Sequence, residues 1–315
     1  MGDQAMLEGL CSLLPSVRIK KKPKEWPHLP THVGEEPGAV YMLGTDVMDG
    51  SFSDAFTQEI RHLRNKISSE VKLHLINFSF RGKASAECIK ILSELDNVTF
   101  TARDPISQRN FITQVNRPCS LVGDLAFILS DAAVPLDIVA WINSQRVRNR
   151  KICLYGYSAL INSVDSLKSW AGAMAYPLED RGVSFITIAH DTRDPKEQEE
   201  SVRIATSLGD RGLFLNTQSS YALRGLAKLC DFFFSARMHL GIACMSQAIP
   251  GLLVPYNDKV DGLFDLVGMP VLRMDQSNVQ SKFELLKASH LLLKGGLRER
   301  VKGIKSGIVD HYTNL

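Results

Sequence analysis

The chain has 315 residues, 44% of them hydrophobic, which is enough for two domains of ordinary size. A formal net charge of +3, with both signs mixed along the chain, is too small to argue for nucleic acid on electrostatic grounds. Six scattered cysteines without a C-x-x-C pair argue against thiolate metal ligation and fit a reduced, cytosolic setting.

No basic start followed by an apolar core marks a signal peptide. The apolar-leaning stretch around 239–256 holds Ser246, Gln247 and Pro250 and is too broken to span a bilayer. Asp3 is placed to cap a helix from Gln4 to Leu14, with Met6, Leu7, Leu10 and Leu14 on its apolar side. Val17 to Lys20 is a short strand candidate. Residues 20–38 hold four prolines and two glycines and read as a loop. Its lysine run is either a solvated surface or a contact for an anionic polymer.

Then come a strand at 39–44, a helix near 52–66, a strand at 71–79, a helix near 84–94 and a strand at 97–103. Asp104-Pro105 opens the next helix, because Asp caps well and proline suits the first helical position. Residues 128–149 read as a linker containing a helix. A second alternation follows: strand 151–157, a helix to about Asp180, strand 183–189, a helix near 195–208, and strand 212–216. It continues with a helix from Ser219, strand 231–236, a helix, strand 251–256 and a helix after Asp258. Two helical segments, 281–294 and 297–312, close the chain. Strands alternating with helices imply parallel sheets. The expected fold is therefore α/β, with two Rossmann-like parallel-sheet domains facing a cleft. The domains are expected at 1–130 and 151–275, with a linker at 131–150 and C-terminal helices at 276–315.

The richest stretch is 231–264. DFFF and GLLV are continuous apolar runs, as a parallel sheet buried on both faces requires. Ligands of such sheets sit outside the carboxyl ends of the strands, where Arg237, His239 and Lys259 fall. A helix start there also offers backbone N–H groups to an anion. The plain alternatives are a structural ion pair for Arg237, a hydrogen-bonded seam histidine for His239, and a solvated lysine beside Asp258 and Asp261 for Lys259. His190 ends strand 183–189 and is either a ligand contact or a strand-end histidine paired with Asp191. Arg103 and Asp104 end a strand of the first domain; Asp104 is a helix cap or, more sharply, a catalytic base. His74 reads as a core or sheet-face residue, and His28, His32, His62, His290 and His311 as surface groups.

Several motifs, in one order, resemble the polysaccharide pyruvyl transferase family. They are Gly-Asp-Gln-Ala at 2–5, Ala-Arg-Asp-Pro-Ile-Ser at 102–107, Gly-Asp-Leu-Ala-Phe-Ile-Leu at 123–129, Ile-Ala-His-Asp at 188–191, and Arg237-Met-His239 followed by Tyr256-x-x-Lys259. The resemblance implies a glycosyltransferase-B-like arrangement. It also implies transfer of a pyruvyl group from phosphoenolpyruvate to two hydroxyls of a hexose, in a cell-surface polysaccharide or its lipid-linked precursor. On that reading His239 and Asp104 are catalytic, and Arg237, Lys259, His190, Arg103 and Asp3 bind substrate. No metal or cofactor is required beyond the phosphoenolpyruvate donor. The setting is cytoplasmic, with peripheral membrane contact if the acceptor is lipid-linked. Two departures stand out. The sequence opens where the family's loop meets its first helix, so the first strand of domain 1 is expected to be missing. Gly44-Thr45-Asp46 is also poorer in glycine than the family's loop. The competing functions are a nucleotide-sugar-dependent glycosyltransferase of the same fold and a non-catalytic truncated relative. Because Arg237 ends a strand, Arg237→Ala is expected to abolish donor binding without unfolding the chain.

Overall fold

In a computed structural model, residues 2–14, 38–45, 53–158, 161, 168–189, 195–216, 219–255, 258–269 and 272–314 are described. The strand candidate at 17–20 and the lysine loop up to residue 37 lie outside them. The chain forms two compact units, one of Met6–Leu125 with Gly307–Leu315, the other of Met1–Ala5 with Ala126–Ser306.

The first unit is built from α1 (Gly2–Leu13) from Met6 onward, β1 (Ala39–Thr45), α2 (Ser53–Arg64), β2 (Lys72–Phe78), α3 (Ala86–Glu94), β3 (Val98–Ala102), α4 (Pro105–Val115) and β4 (Ser120–Leu121). Its strands form one parallel sheet in the order β1-β2-β3-β4. Apolar side chains from both partners close the core: Phe56 and Ile60 of α2 pack with Leu73, Leu75 and Phe78 of β2. Phe111 of α4 meets Phe78, Phe80 and Phe100 at ring-centroid distances of 5.0, 5.4 and 4.7 Å. The local signals at helix starts hold. Ser85 caps α3 by accepting from Cys88 N at 3.2 Å, and Asp104 caps α4 with Pro105 next to it. One feature of β2 has no sequence signal beyond the residue type. Asn77 takes a left-handed φ of 58°, and the β2–β3 register shifts between Leu75 and Phe78. Asparagine tolerates that conformation, and its Oδ1 accepts from Leu125 N at 2.8 Å.

The second unit contains α5 (Leu136–Val147), β5 (Lys151–Gly156), α6 (Ala171–Ala175), β6 (Val183–Ile188), α7 (Pro195–Ser207), β7 (Gly212–Leu215), α8 (Ser220–Lys228), β8 (Phe232–Ser235), α9 (Met238–Met245), β9 (Gly251–Leu253), α10 (Asp258–Leu266) and α11 (Val279–Thr313) up to Ser306. The strands are parallel, in the order β7-β6-β5-β8-β9. All six residues of β6 and all four of β8 are buried, as continuous apolar strands in a two-sided parallel sheet should be. The chain leaves β5 toward β6 and β7 on one side, then returns to β8 and β9 on the other. The carboxyl ends of β5 and β8 therefore flank a topological switch point. Gly156 ends β5 there: a Cβ on it would lie 2.4 Å from Ser235 Oγ and 2.8 Å from Leu240 Cδ1. Any side chain there would force Ser235 and Leu240 to move.

Three expectations change. The helix expected inside a linker at 131–150 is α5, and it belongs to the second unit, whose long segment begins at Ala126. Its Gln145 accepts from Ser184 Oγ at 2.9 Å and donates to Asp210 O at 3.0 Å. The two closing helices are one, α11, which runs through the exposed Gly295-Gly296 pair. Leu286, Leu297, Val301 and Ile308 are buried along it, and that burial outweighs about 1 kcal/mol of helix propensity lost per glycine. Helix α1 begins at Gly2, so Asp3 falls within its first turn rather than at its cap, and its side chain lies outside the described residues.

Candidate active site

β8 delivers Ser235, and the chain then turns directly into α9. Ser235 Oγ accepts from Arg237 N at 2.8 Å, which fixes the corner. Arg237 is the N-cap residue of α9, in extended backbone (φ −121°, ψ 114°) and without a side-chain cap of its own. Its guanidinium donates to Glu197 Oε2 in an ion pair. Glu197 stands in the first turn of α7 and is 0% exposed, while the Arg237 side chain is 17% exposed.

Sequence reading missed Glu197, although a signal was there. It lies four, seven and eleven residues before Ser201, Ile204 and Leu208, all of which are buried, so it sits on the apolar stripe of α7.

His239 follows in the first turn of α9, half-buried. It lines a small depression of about 10 Å³, room for roughly one water, with Leu129, Ser220, Leu223, Arg224 and Ala243. Arg224, 1% exposed on α8, donates to the Ser246 hydroxyl, and Ser246 Oγ donates to Ala243 O at 2.7 Å. The wall beside His239 is thus apolar with a buried guanidinium in it. Lys259 is half-buried in the first turn of α10. His190 lies outside the described residues.

In the first unit the structure places Arg103 and Asp104 at the end of β3, and both are buried. Arg103 Nε donates to Ser79 Oγ at 2.7 Å, and its Nη1 lies 3.5 Å from Asp124 Oδ2. Asp104 accepts from Ser107 N at 2.8 Å and from Ser107 Oγ–H at 2.7 Å. Burial holds its carboxyl above the ordinary range, with the Ser107 bonds and Arg103 pulling the other way. This is the geometry of a helix cap, with both oxygens engaged by Ser107.

His74 is core, as expected. It is 1% exposed, stacked on Tyr41 at 4.6 Å, with Nδ1 2.7 Å from Thr99 Oγ1. His290, expected at the surface, is instead 7% exposed, its ring edge-on to Phe232 and its Nδ1 3.0 Å from Lys287 O. His311 is half-buried. Burial pushes the Cys153, Cys230 and Cys244 thiols well up, so they stay protonated. Among the described residues no three His, Cys, Asp or Glu side chains are grouped to hold a metal ion, and no helix is long and apolar enough to cross a membrane.

Two parallel-sheet domains of this kind are an α/β fold of the glycosyltransferase-B class. Solved structures agree. A putative UDP-N-acetylglucosamine 2-epimerase from Listeria monocytogenes matches at TM-score 0.55 and 12% identity, over 100% of this chain and 80% of that one. MnaA of S. aureus, solved with UDP, matches at TM-score 0.57 and 14% identity, over 93% of this chain and 79% of that one. The Anabaena protein HepE, solved with UDP-glucose, matches at TM-score 0.51 and 14% identity, over 78% and 73%. No curated protein sequence matches the chain. The model of the polysaccharide pyruvyl transferase family matches residues 1–258, and the chain belongs to that family.

Proposed function

We propose that the chain transfers a pyruvyl group from phosphoenolpyruvate to two hydroxyls of a hexose, in a cell-surface polysaccharide or its lipid-linked precursor. The products are a cyclic ketal and inorganic phosphate. The observation that carries this reading is the Arg237–His239 corner at the switch point of the second sheet. The donor brings a phosphate and a carboxylate, and a guanidinium fork receives either. Glu197 presets the orientation of that fork. The methylene carbon of the donor must take a proton before its neighbouring carbon becomes electrophilic. His239, one residue inside α9, supplies that proton. A sugar hydroxyl then adds, phosphate leaves, and the second hydroxyl closes the ketal. Lys259 and His190 are assigned to donor or sugar contacts, and Arg103 and Asp3 to the acceptor side. Asp104 is assigned as the base for the sugar hydroxyls: Ser107 takes one acceptor position on each of its oxygens, and a carboxylate oxygen has two.

Calorimetric titration with phosphoenolpyruvate, UDP-sugars and GDP-sugars tests the reading. Binding of phosphoenolpyruvate alone is expected. In His239→Asn, turnover should fall by about 10²-fold or more while donor affinity falls less. Full activity in that variant removes His239 from the mechanism. Binding of a nucleotide sugar instead makes the protein a glycosyltransferase, and silence from every donor makes it a non-catalytic relative.

A further inference from the structure

Two buried polar atoms at the switch point lack partners. β5 and β8 run in register to the pair Gly156–Ser235, and Ala236 N donates back to Gly156 O at 2.8 Å. Two residues past the end of β5 stands Ser158, and two residues past the end of β8 stands Arg237. Ser158 is 2% exposed. Among the described residues, neither Ser158 Oγ nor Arg237 Nε has a hydrogen-bond partner, and they are not bonded to each other. The backbone around Ser158 is held, since Ile161 N donates to its carbonyl at 3.0 Å. A buried hydroxyl left unpaired costs stability, and alanine at the same place would not carry that cost. Such an atom at a ligand-binding edge is explained by a ligand that satisfies it.

The chemistry of the pair specifies the ligand. An O–H and a guanidinium N–H are both donors, each carried two residues past the end of one of two paired strands, at the edge where this class of sheet binds its ligands. The other side of the fork is already neutralised by Glu197. We propose that Ser158 Oγ–H and Arg237 Nε–H together receive one oxyanion of the donor, a phosphate or carboxylate oxygen. Ser158 thereby becomes a binding residue of the site. For the identity of the donor, this assignment rests on the pyruvyl-transfer reading above.

Ser158→Ala tests it, with calorimetric titration of phosphoenolpyruvate, inorganic phosphate and pyruvate into wild type and variant, and a thermal melt of each. The expected result has two opposed signs. Affinity for phosphoenolpyruvate falls about tenfold or more, as for a lost bond to a charged group, while the melting temperature of the ligand-free protein rises by about 2–4 °C. A structural serine would lower the melting temperature instead. A matching loss with inorganic phosphate assigns the phosphate oxygen, and one with pyruvate assigns the carboxylate. If wild type binds phosphoenolpyruvate and Ser158→Ala binds it equally well, the Ser158 assignment is overturned and the pyruvyl-transfer reading stands. If phosphoenolpyruvate does not bind but phosphate or pyruvate does, and more weakly in the variant, the oxyanion site stands and pyruvyl transfer falls. If wild type binds none of the three, both fall.

Discussion

Arg237 is held from behind by a carboxylate that water does not reach. That fact changes what an alanine there would do. Its place at a strand end suggests a residue that can be cut back without harm to the fold. Yet removing one member of a buried pair leaves the other charge uncompensated, at a cost of about 3–5 kcal/mol. Arg237→Ala should therefore lower stability to urea by about that amount, as well as abolish donor binding. The double variant Arg237→Ala/Glu197→Met removes both charges and should recover most of the lost stability, with binding still absent. Separate urea titrations of the three proteins check this. An Arg237→Ala protein as stable as wild type would mean that the pair is solvated and that Glu197 does not anchor the fork. Loss of binding in Arg237→Ala alone thus mixes two causes, and the double variant separates them.

Strand β2 shows how an element can hold a titratable group without making it functional. His74 stands between Tyr41 of β1 and Thr99 of β3, and burial first, then Lys72 and His311, lowers its pKa from 6.5 to about 4. The unfolded chain therefore takes up the proton first as the pH falls. This histidine contributes no pH dependence above about pH 6.5, and stability declines as pH drops from there toward 4. His74→Phe keeps the stacked ring and removes the titration. The stability difference between wild type and His74→Phe should shift against wild type between pH 7 and pH 4.5; a constant difference would contradict a buried neutral imidazole. The same strand marks the boundary of what the sequence discloses. Its apolar run, the Asp104-Pro105 start of α4 and the Ser219 cap of α8 are local signals, readable from a few neighbouring residues. The left-handed Asn77 within it, the burial of Glu197 on α7 and the passage of α11 through the Gly295-Gly296 pair are set by partners far away in the chain. The Arg237–His239 corner was legible because a strand end and a helix start adjoin there in sequence. Ser158 was not, because only the β5–β8 pairing sets the end of β5 beside the end of β8.

At the scale of the whole molecule, the chain returns to its first unit at the end. Gly307–Leu315 belongs with Met6–Leu125, although 181 residues of the other unit, 126–306, lie between. The returning end of α11 contributes core, not decoration. Ile308 is 0% exposed, Tyr312 is 1% exposed, and the Tyr312 hydroxyl lies 3.1 Å from Thr101 Oγ1 on β3. Removing a buried aromatic side chain costs about 3–5 kcal/mol, whereas removing only its hydroxyl costs about 1 kcal/mol. Tyr312→Ala should therefore loosen the first unit strongly and Tyr312→Phe only slightly. Amide hydrogen exchange locates the effect. In Tyr312→Ala, β1 to β3 should lose protection while β5, β6 and β8 keep theirs, since the second unit's sheet and its own core do not use this residue. Equal loss in both sheets would show that the two units unfold as one cooperative body. Loss confined to the last turns of α11 would show that Tyr312 merely covers a core that closes without it.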